Sequence, residues 1–418
     1  MADLKGKKWM VSIGNFVEES ISKGILDLGQ QAPVLEGEPQ EKVWYLLPVP
    51  EGRCADGSEY HIYVKKGTTD KLCVFFSGGG IAINEFMAAR PVTGGRVAAW
   101  LPNYYWNNLR LFTQTMNINV GITANLRDNP FEDWNFLIIT YATGDMHVGN
   151  SKFIYHEVDD GSAAGENGAG ISSVLGGTRT APGDAGSSAA AAGKEATLYF
   201  NGYQNFMAAM RAGKRIFPTA QKLLIAGESA GAFAVPALAE QIVGEFYPGC
   251  SDVTLFSDSA QLIYKGWKRT LRDVWQVRRE LWEGVNGSNL ALQWYRGVCH
   301  RQGRKYRYLY SGSVTDYLLS AFYNDVTNKI YDTDTQIQEI YFKQMQQMIK
   351  ELRALDPAFT FFIHDWHRPF SMYKGGSIHT VVRQPEFTMR KQDDVTMAYW
   401  LSECVEGRNF NVGMRLLR

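Results

Sequence analysis

Residues 223–234 read LLIAGESAGAFA. Four apolar residues give way to small ones, and one serine, Ser229, stands between Gly227 and Gly231. The KLLIA run before it has the continuous apolar character of a strand buried on both faces. The AFAVPALAEQ run after it suits a helix. A serine at a strand-to-helix turn of the form G-x-S-x-G is the arrangement that exposes a nucleophilic hydroxyl. Small neighbours let the backbone reverse tightly there. The helix that begins at the serine also turns its positive end towards negative charge developing there. The competing reading is a structural turn of small residues, and five residues alone do not decide between the two.

Outward from this stretch, short apolar runs recur: EKVWYLLPV (41–49), YHIYVK (60–65), LCVFFSGGG (72–80), FLIITYATG (136–144), VTLFSDSA (253–260), YRYLYSG (306–312) and FTFFIHD (359–365). All read as strands. NGYQNFMAAMRAGKRIF (201–217) and AFAVPALAEQIVGEF (232–246) read as helices on either side of the serine strand. TQIQEIYFKQMQQMIKELRAL (335–355) carries apolar residues at helical spacing, with a proline just beyond its end. Alternation of strand and helix predicts an α/β protein. With the serine turn it predicts an α/β-hydrolase fold: a mostly parallel central sheet flanked by helices, in one domain over 1–418. Two insertions interrupt the rhythm. Residues 159–195 are rich in Gly, Ala and Ser and read as a surface loop, with a substrate-gating lid as the alternative. Residues 260–300, with Trp267, Trp275, Trp282 and Trp294, read as a helical cap.

Composition removes several classes of function. The 418 residues hold 43 Lys+Arg and 43 Asp+Glu, so no excess charge argues for nucleic acid or an anionic membrane surface. No apolar run approaches the length of a membrane span. The five cysteines are widely spaced, with no CxxC, which suggests neither a zinc site nor a disulfide framework. The start, MADLKGKKWMVSIGNFVEES, has no apolar core of the kind a secretory leader needs. A cytoplasmic location is the expectation, and secretion is the alternative if a leader has been removed.

The chemistry concentrates in a few places. LCVFFSGGGIAINEF ends a strand in Gly78, Gly79 and Gly80, followed by Ile81. Acyl transfer needs backbone N–H groups aimed at a carbonyl oxygen as it becomes an oxyanion, and a glycine run after a strand can offer them. In hydrolases of this fold the partner donor is the amide after the nucleophile, here Ala230. An ordinary glycine loop is the bland alternative. A phosphate cradle fits worse, because no lysine follows at the required spacing. A serine nucleophile also needs a histidine base and an acid to orient it, in the chain order Ser, acid, His. The later histidines are His300, His364, His367 and His379; the acid candidates at strand ends are Asp258 and Asp316, with Asp325 a further candidate. His364, Asp365 and His367 form no convincing metal set, and no metal or cofactor is expected.

Several stretches together resemble the pectin acetylesterase (Notum-like) family in its bacterial form. They are FFSGGGIA (75–82), NPFEDWNFLIITYATGDMHVGN (129–150), FNGYQN (200–205), AGESAGAF (226–233), LFSDSAQL (255–262) and SIHTVVRQPEF (377–387). The resemblance implies an α/β hydrolase with a Ser-Asp-His triad that removes acyl groups from oxygen. Carried onto this chain, it gives Ser229 as nucleophile, Asp316 as acid and His379 as base. Gly79, Gly80, Ile81 and Ala230 would form the oxyanion hole. Asp145 and His147 of TGDMHVG would lie against the substrate, with a purely structural turn as the alternative. Glu228 and His367 are further substrate-contact candidates. The chain departs from the family at Ile81–Ala82, where Trp-Cys is usual, at Glu228, and at Ala232.

The resulting expectation is a serine esterase acting on O-acetyl groups of a pectin-like or other carbohydrate, with a small-molecule or oligosaccharide ester as its partner. A longer-chain acyl esterase would need a deep apolar pocket, which Ile81, Phe233 and the cap tryptophans could supply. A non-catalytic binding protein on the same scaffold is the alternative from another class.

Overall fold

The computed structural model describes residues 32–98, 101–110, 116–158, 193–367 and 375–418. The segment read as a Gly/Ala/Ser-rich insertion lies outside the described residues except for its last three. Ten strands carry the architecture: β1 (Trp44–Pro48), β2 (His61–Lys65), β3 (Lys71–Phe76), β4 (Asn135–Ile139), β5 (Ser151–His156), β6 (Glu195–Phe200), β7 (Lys222–Glu228), β8 (Asp252–Asp258), β9 (Tyr306–Ser313) and β10 (Thr360–His364). All but β5 and β6 form an eight-stranded sheet in the order β1-β2-β4-β3-β7-β8-β9-β10. The β1–β2 and β2–β4 pairs are antiparallel, and every later pair is parallel. Each apolar run singled out in the sequence holds one strand of this sheet. β5 and β6 pair as a separate antiparallel hairpin, which those runs did not include.

Alternate side chains of each strand enter two different cores. Val74, Phe76, Leu223, Ile225 and Leu255 face one layer of helices. This layer holds α1 (Gly202–Ile216), α2 (Ala230–Gln241), α3 (Leu290–Gln302), α4 (Tyr317–Asn328) and α5 (Thr335–Leu355). Cys73, Phe75, Leu224, Ala226 and Phe256 face the other core, which is closed by α6 (Met397–Val405) and by Val381 and Val382. The chain is therefore mixed α/β, with a large, mostly parallel sheet between helices. Residues 260–300 are largely helical, as expected, but they pack into the first core: Trp267 and Trp275 are fully buried. Among the described residues no helix is long and apolar enough to cross a membrane.

In a parallel sheet the strands end on one edge, and loops leaving that edge converge. Here the ends of β3, β7, β8, β9 and β10 bring the glycine run, Ser229, Asp258, the Asp316 loop and His364 to the same side.

Candidate active site

Ser229 sits at the turn from β7 into α2 with φ 51° and ψ −125°. That backbone is costly for a residue with a Cβ, and it persists because the surroundings fix it. A Cβ on Gly227 would strike the Gly231 carbonyl, and one on Gly231 would strike the Phe76 carbonyl. The two glycines of G-x-S-x-G are thus required by the approach of β3, β7 and α2. The Ser229 N–H is tied to the Asp258 carbonyl at 2.9 Å.

The structure brings Ser229, His379 and Asp316 into one hydrogen-bonded chain. Ser229 Oγ lies 2.8 Å from His379 Nε2, and His379 Nδ1 lies 2.6 Å from Asp316 Oδ2. Ionised Asp316 can only accept, so Nδ1 carries the proton and Nε2 is left to accept from the serine hydroxyl. Asp316 is fully buried and is the N-cap of α4: its Oδ1 accepts from the amides of Leu318 (3.0 Å) and Leu319 (2.9 Å). Its loop is zipped to the histidine loop through Ser377, whose N–H donates to the Thr315 carbonyl while its carbonyl accepts from Tyr317. Burial lowers the His379 pKa, but the charge and hydrogen bond of Asp316, helped by Asp258 and Glu228, outweigh it and leave the value raised above 6.5.

The other acid and base candidates fall elsewhere. His364 ends β10 fully buried, and burial drives its pKa down to about 3, which keeps it neutral. His367 is exposed and its Nδ1 donates to the Gly376 carbonyl at 3.0 Å, so it braces the loop that carries His379, and it is His379 that bonds to Ser229. His300 is exposed in the last turn of α3. Asp325 lies within α4. Asp258 is an anchor for the histidine loop: its Oδ2 accepts from the amides of Val381 (2.7 Å) and Val382 (2.9 Å), and its Oδ1 accepts from the Ser311 hydroxyl (2.7 Å). Among the described residues no group of His, Cys, Asp and Glu could hold a metal ion.

The glycine run lies against the elbow. A Cβ on Gly78 would come within 2.7 Å of Ser229 Cβ, so this glycine is needed for the approach. Gly80 has φ 78° and stands opposite Tyr105 in a bridge whose hydrogen bonds are made by its neighbours. One of these neighbours corrects an expectation. The Ile81 N–H donates to the Tyr104 carbonyl at 2.9 Å, so it is unavailable to an oxyanion. The amides of Gly79 and Gly80 have no acceptor among the described residues. As the first residue of α2, Ala230 has no intrahelical acceptor for its own amide.

Asp145, His147 and Glu228 do not present themselves to a substrate. Asp145 is fully buried: it accepts from the Thr143 hydroxyl, the His147 N–H and the Gly202 N–H at the start of α1. Burial pushes its carboxyl up to about 6, and these donors oppose the shift. His147 Nε2 donates to the Ser77 carbonyl at 2.9 Å, and burial lowers its pKa to about 4. The TGDMHVG block is therefore the structural turn, holding the strand end that leads into the glycine run. Glu228 is buried in an ion pair with Arg383, whose Nε lies 2.8 Å from Glu228 Oε1. Arg383 drew no functional reading from the sequence. Its signal was a charge directly after the apolar pair Val381–Val382, four residues beyond His379.

No protein-family model matches the chain, and no curated protein matches it. A mixed α/β molecule with an orienting acid, a histidine and a serine on a strained turn is what the fold and geometry define.

Proposed function

We propose that the protein is a serine esterase of α/β-hydrolase type that removes short acyl groups, acetyl foremost, from carbohydrate hydroxyls. The observation that carries this reading is the continuous Asp316–His379–Ser229 chain ending at a strained strand-to-helix turn. In this reading His379 takes the Ser229 proton as Oγ attacks the ester carbonyl. The amide of Ala230, with those of Gly79 and Gly80, receives the developing oxyanion. His379 then returns the proton to the leaving alcohol, and water cleaves the acyl-enzyme by the same route. No metal or organic cofactor enters these steps.

Packing supports the short acyl group. Ile81, Phe233, Trp267 and Trp275, which could have lined a deep apolar pocket, are all buried in the first core, with the Trp267 ring set against those of Phe233 and Trp275. The Trp275 indole is locked by a 2.8 Å hydrogen bond to the Ala82 carbonyl. The carbohydrate component rests on the resemblance to pectin acetylesterases.

The test is hydrolysis of p-nitrophenyl acetate, butyrate and octanoate, with acetate release from acetylated pectin, xylan and mannan oligosaccharides. The expected result is turnover that falls with chain length and disappears in Ser229→Ala. A wild type inert to all these esters, or a fully active Ser229→Ala, overturns the proposal; preference for octanoate overturns the short-acyl part.

A further inference from the structure

The ion pair beneath Ser229 spans more than two residues. Arg383 Nε and Nη2 both donate to Glu228 Oε1, on the residue before the candidate nucleophile. Arg383 Nη1 donates to Asn117 Oδ1 at 2.6 Å and to Ser77 Oγ at 3.2 Å. Ser77 Oγ itself donates to Asn117 at 2.6 Å and immediately precedes the glycine run. The guanidinium lies 5.0 Å from the centroid of the Phe75 ring. Arg383 is also part of the histidine loop, four residues after His379. Every nitrogen of one planar fork is therefore used: two of its partners, Ser77 and Glu228, sit on the strand ends that carry the glycines and the serine, and the third, Asn117, lies in a separate turn. Arg383, Glu228, Ser77 and Asn117 are all buried, so water cannot replace these contacts cheaply.

We infer that Arg383 is a positioning residue that sets the mutual register of the three reacting segments. It ties the glycine run through Ser77, the nucleophile through Glu228 and the base through its own loop. This inference rests on the serine-esterase reading. It gives Glu228 a task different from substrate contact: its carboxylate holds the fork whose other arm reaches Ser77. A lysine offers one cationic head and cannot reproduce the fork. A displacement of the base or the oxyanion donors by a fraction of an ångström is enough to slow an acyl transfer.

The experiment compares wild type, Arg383→Lys, Glu228→Gln and the double variant Glu228→Gln/Arg383→Met. It reads kcat and KM on p-nitrophenyl acetate, the rate of Ser229 modification by a fluorophosphonate, and Tm. Arg383→Lys is expected to lose about 10- to 100-fold in kcat and in fluorophosphonate rate, with KM within about twofold. The double variant removes the buried charges together; it is expected to recover Tm relative to Arg383→Lys and to leave kcat low. Folded variants with kcat within about twofold of wild type overturn the inference, as does a double variant that recovers Tm and kcat together, since the pair would then serve stability alone. If Arg383→Lys does not fold, the double variant decides by the same criterion. A wild type inert to both the ester and the fluorophosphonate sinks the esterase reading and this inference with it. An active wild type with unaltered variants sinks the inference alone.

Discussion

Replacing Asp316 by asparagine gives a sharply defined outcome, because the two oxygens of Asp316 have different partners. Oδ1 accepts from two backbone amides at the start of α4, and Oδ2 accepts from His379 Nδ1. In Asp316→Asn the carbonyl oxygen must stay with the amides of Leu318 and Leu319, since an NH2 group there would face two donors. The NH2 is then aimed at His379 Nδ1, which must accept. The ring proton moves to Nε2, and a protonated Nε2 cannot take the Ser229 proton. The expected cost is roughly 10⁴-fold in kcat, the scale for a wrong tautomer held in correct geometry. That corresponds to about 5.5 kcal/mol of barrier. Stability should change far less, because the helix cap survives and a neutral hydrogen bond replaces a charge-assisted one. A loss of about 1 kcal/mol shifts Tm by only ~1 °C in a chain of this size.

The pH profile adds an independent readout. In wild type the acid limb of kcat/KM should lie above 6.5, since the base must be neutral and its pKa is raised. In Asp316→Asn burial acts unopposed by that carboxylate, and the limb moves to lower pH. The stability contributed by the pair has the same origin. It is fully present below the unfolded histidine pKa and is lost as pH rises through the raised folded value. The Tm gap between wild type and variant should therefore be widest below about pH 6.5. Stopped-flow and steady-state ester hydrolysis, with calorimetry, test these points. An Asp316→Asn enzyme that keeps more than about a tenth of wild-type kcat at neutral pH refutes the assignment of acid and base together.

Two further outcomes follow from local geometry. Ser229→Gly and Ser229→Ala both remove the hydroxyl, but only glycine relieves the positive φ; glycine should be the more stable of the two by about 1 kcal/mol in calorimetry, whereas at an unstrained position it would be the less stable. Asp145→Ala leaves two backbone amides and the Thr143 hydroxyl without their acceptor in a fully buried site. It should cost about 2–5 kcal/mol by denaturant titration while KM of the folded enzyme stays unchanged, and a large rise in KM without loss of stability would restore Asp145 as a substrate contact.

The parallel strands and the serine turn were legible because their signals are local. A strand buried on both faces must be apolar throughout, and every run read that way holds a strand of the sheet. The β5–β6 hairpin was missed because its strands, SKFIYH and EATLYF, interleave polar with apolar residues and form no continuous apolar run, and because it is separate from the main sheet. The chain order of serine, acid and histidine narrowed the base to four residues, but only loop packing separates His379 from His364 and His367. The engagement of Ile81 was invisible for a different reason. Its acceptor is the backbone carbonyl of Tyr104, and no side chain records it. Asp145 and His147 were ambiguous because a polar residue in a glycine-rich turn looks the same whether it faces a substrate or caps a helix.

Glu228 shows how strand periodicity resolves such an ambiguity. Adjacency to Ser229 suggested a carboxylate facing the substrate. In β7, however, residue 228 shares a face with Leu224 and Ala226, which point into the core closed by Val381, Val382 and α6. A carboxylate at the end of that face is directed under the histidine loop and away from α2. Buried there, it must find a cation or lose its charge. The next charged residue along that loop is Arg383, placed so that its side chain reaches the carboxylate and the end of β3 together. The residue before Ser229 is thus tied through Arg383 to the His379 loop and to the end of β3, and is not turned towards α2.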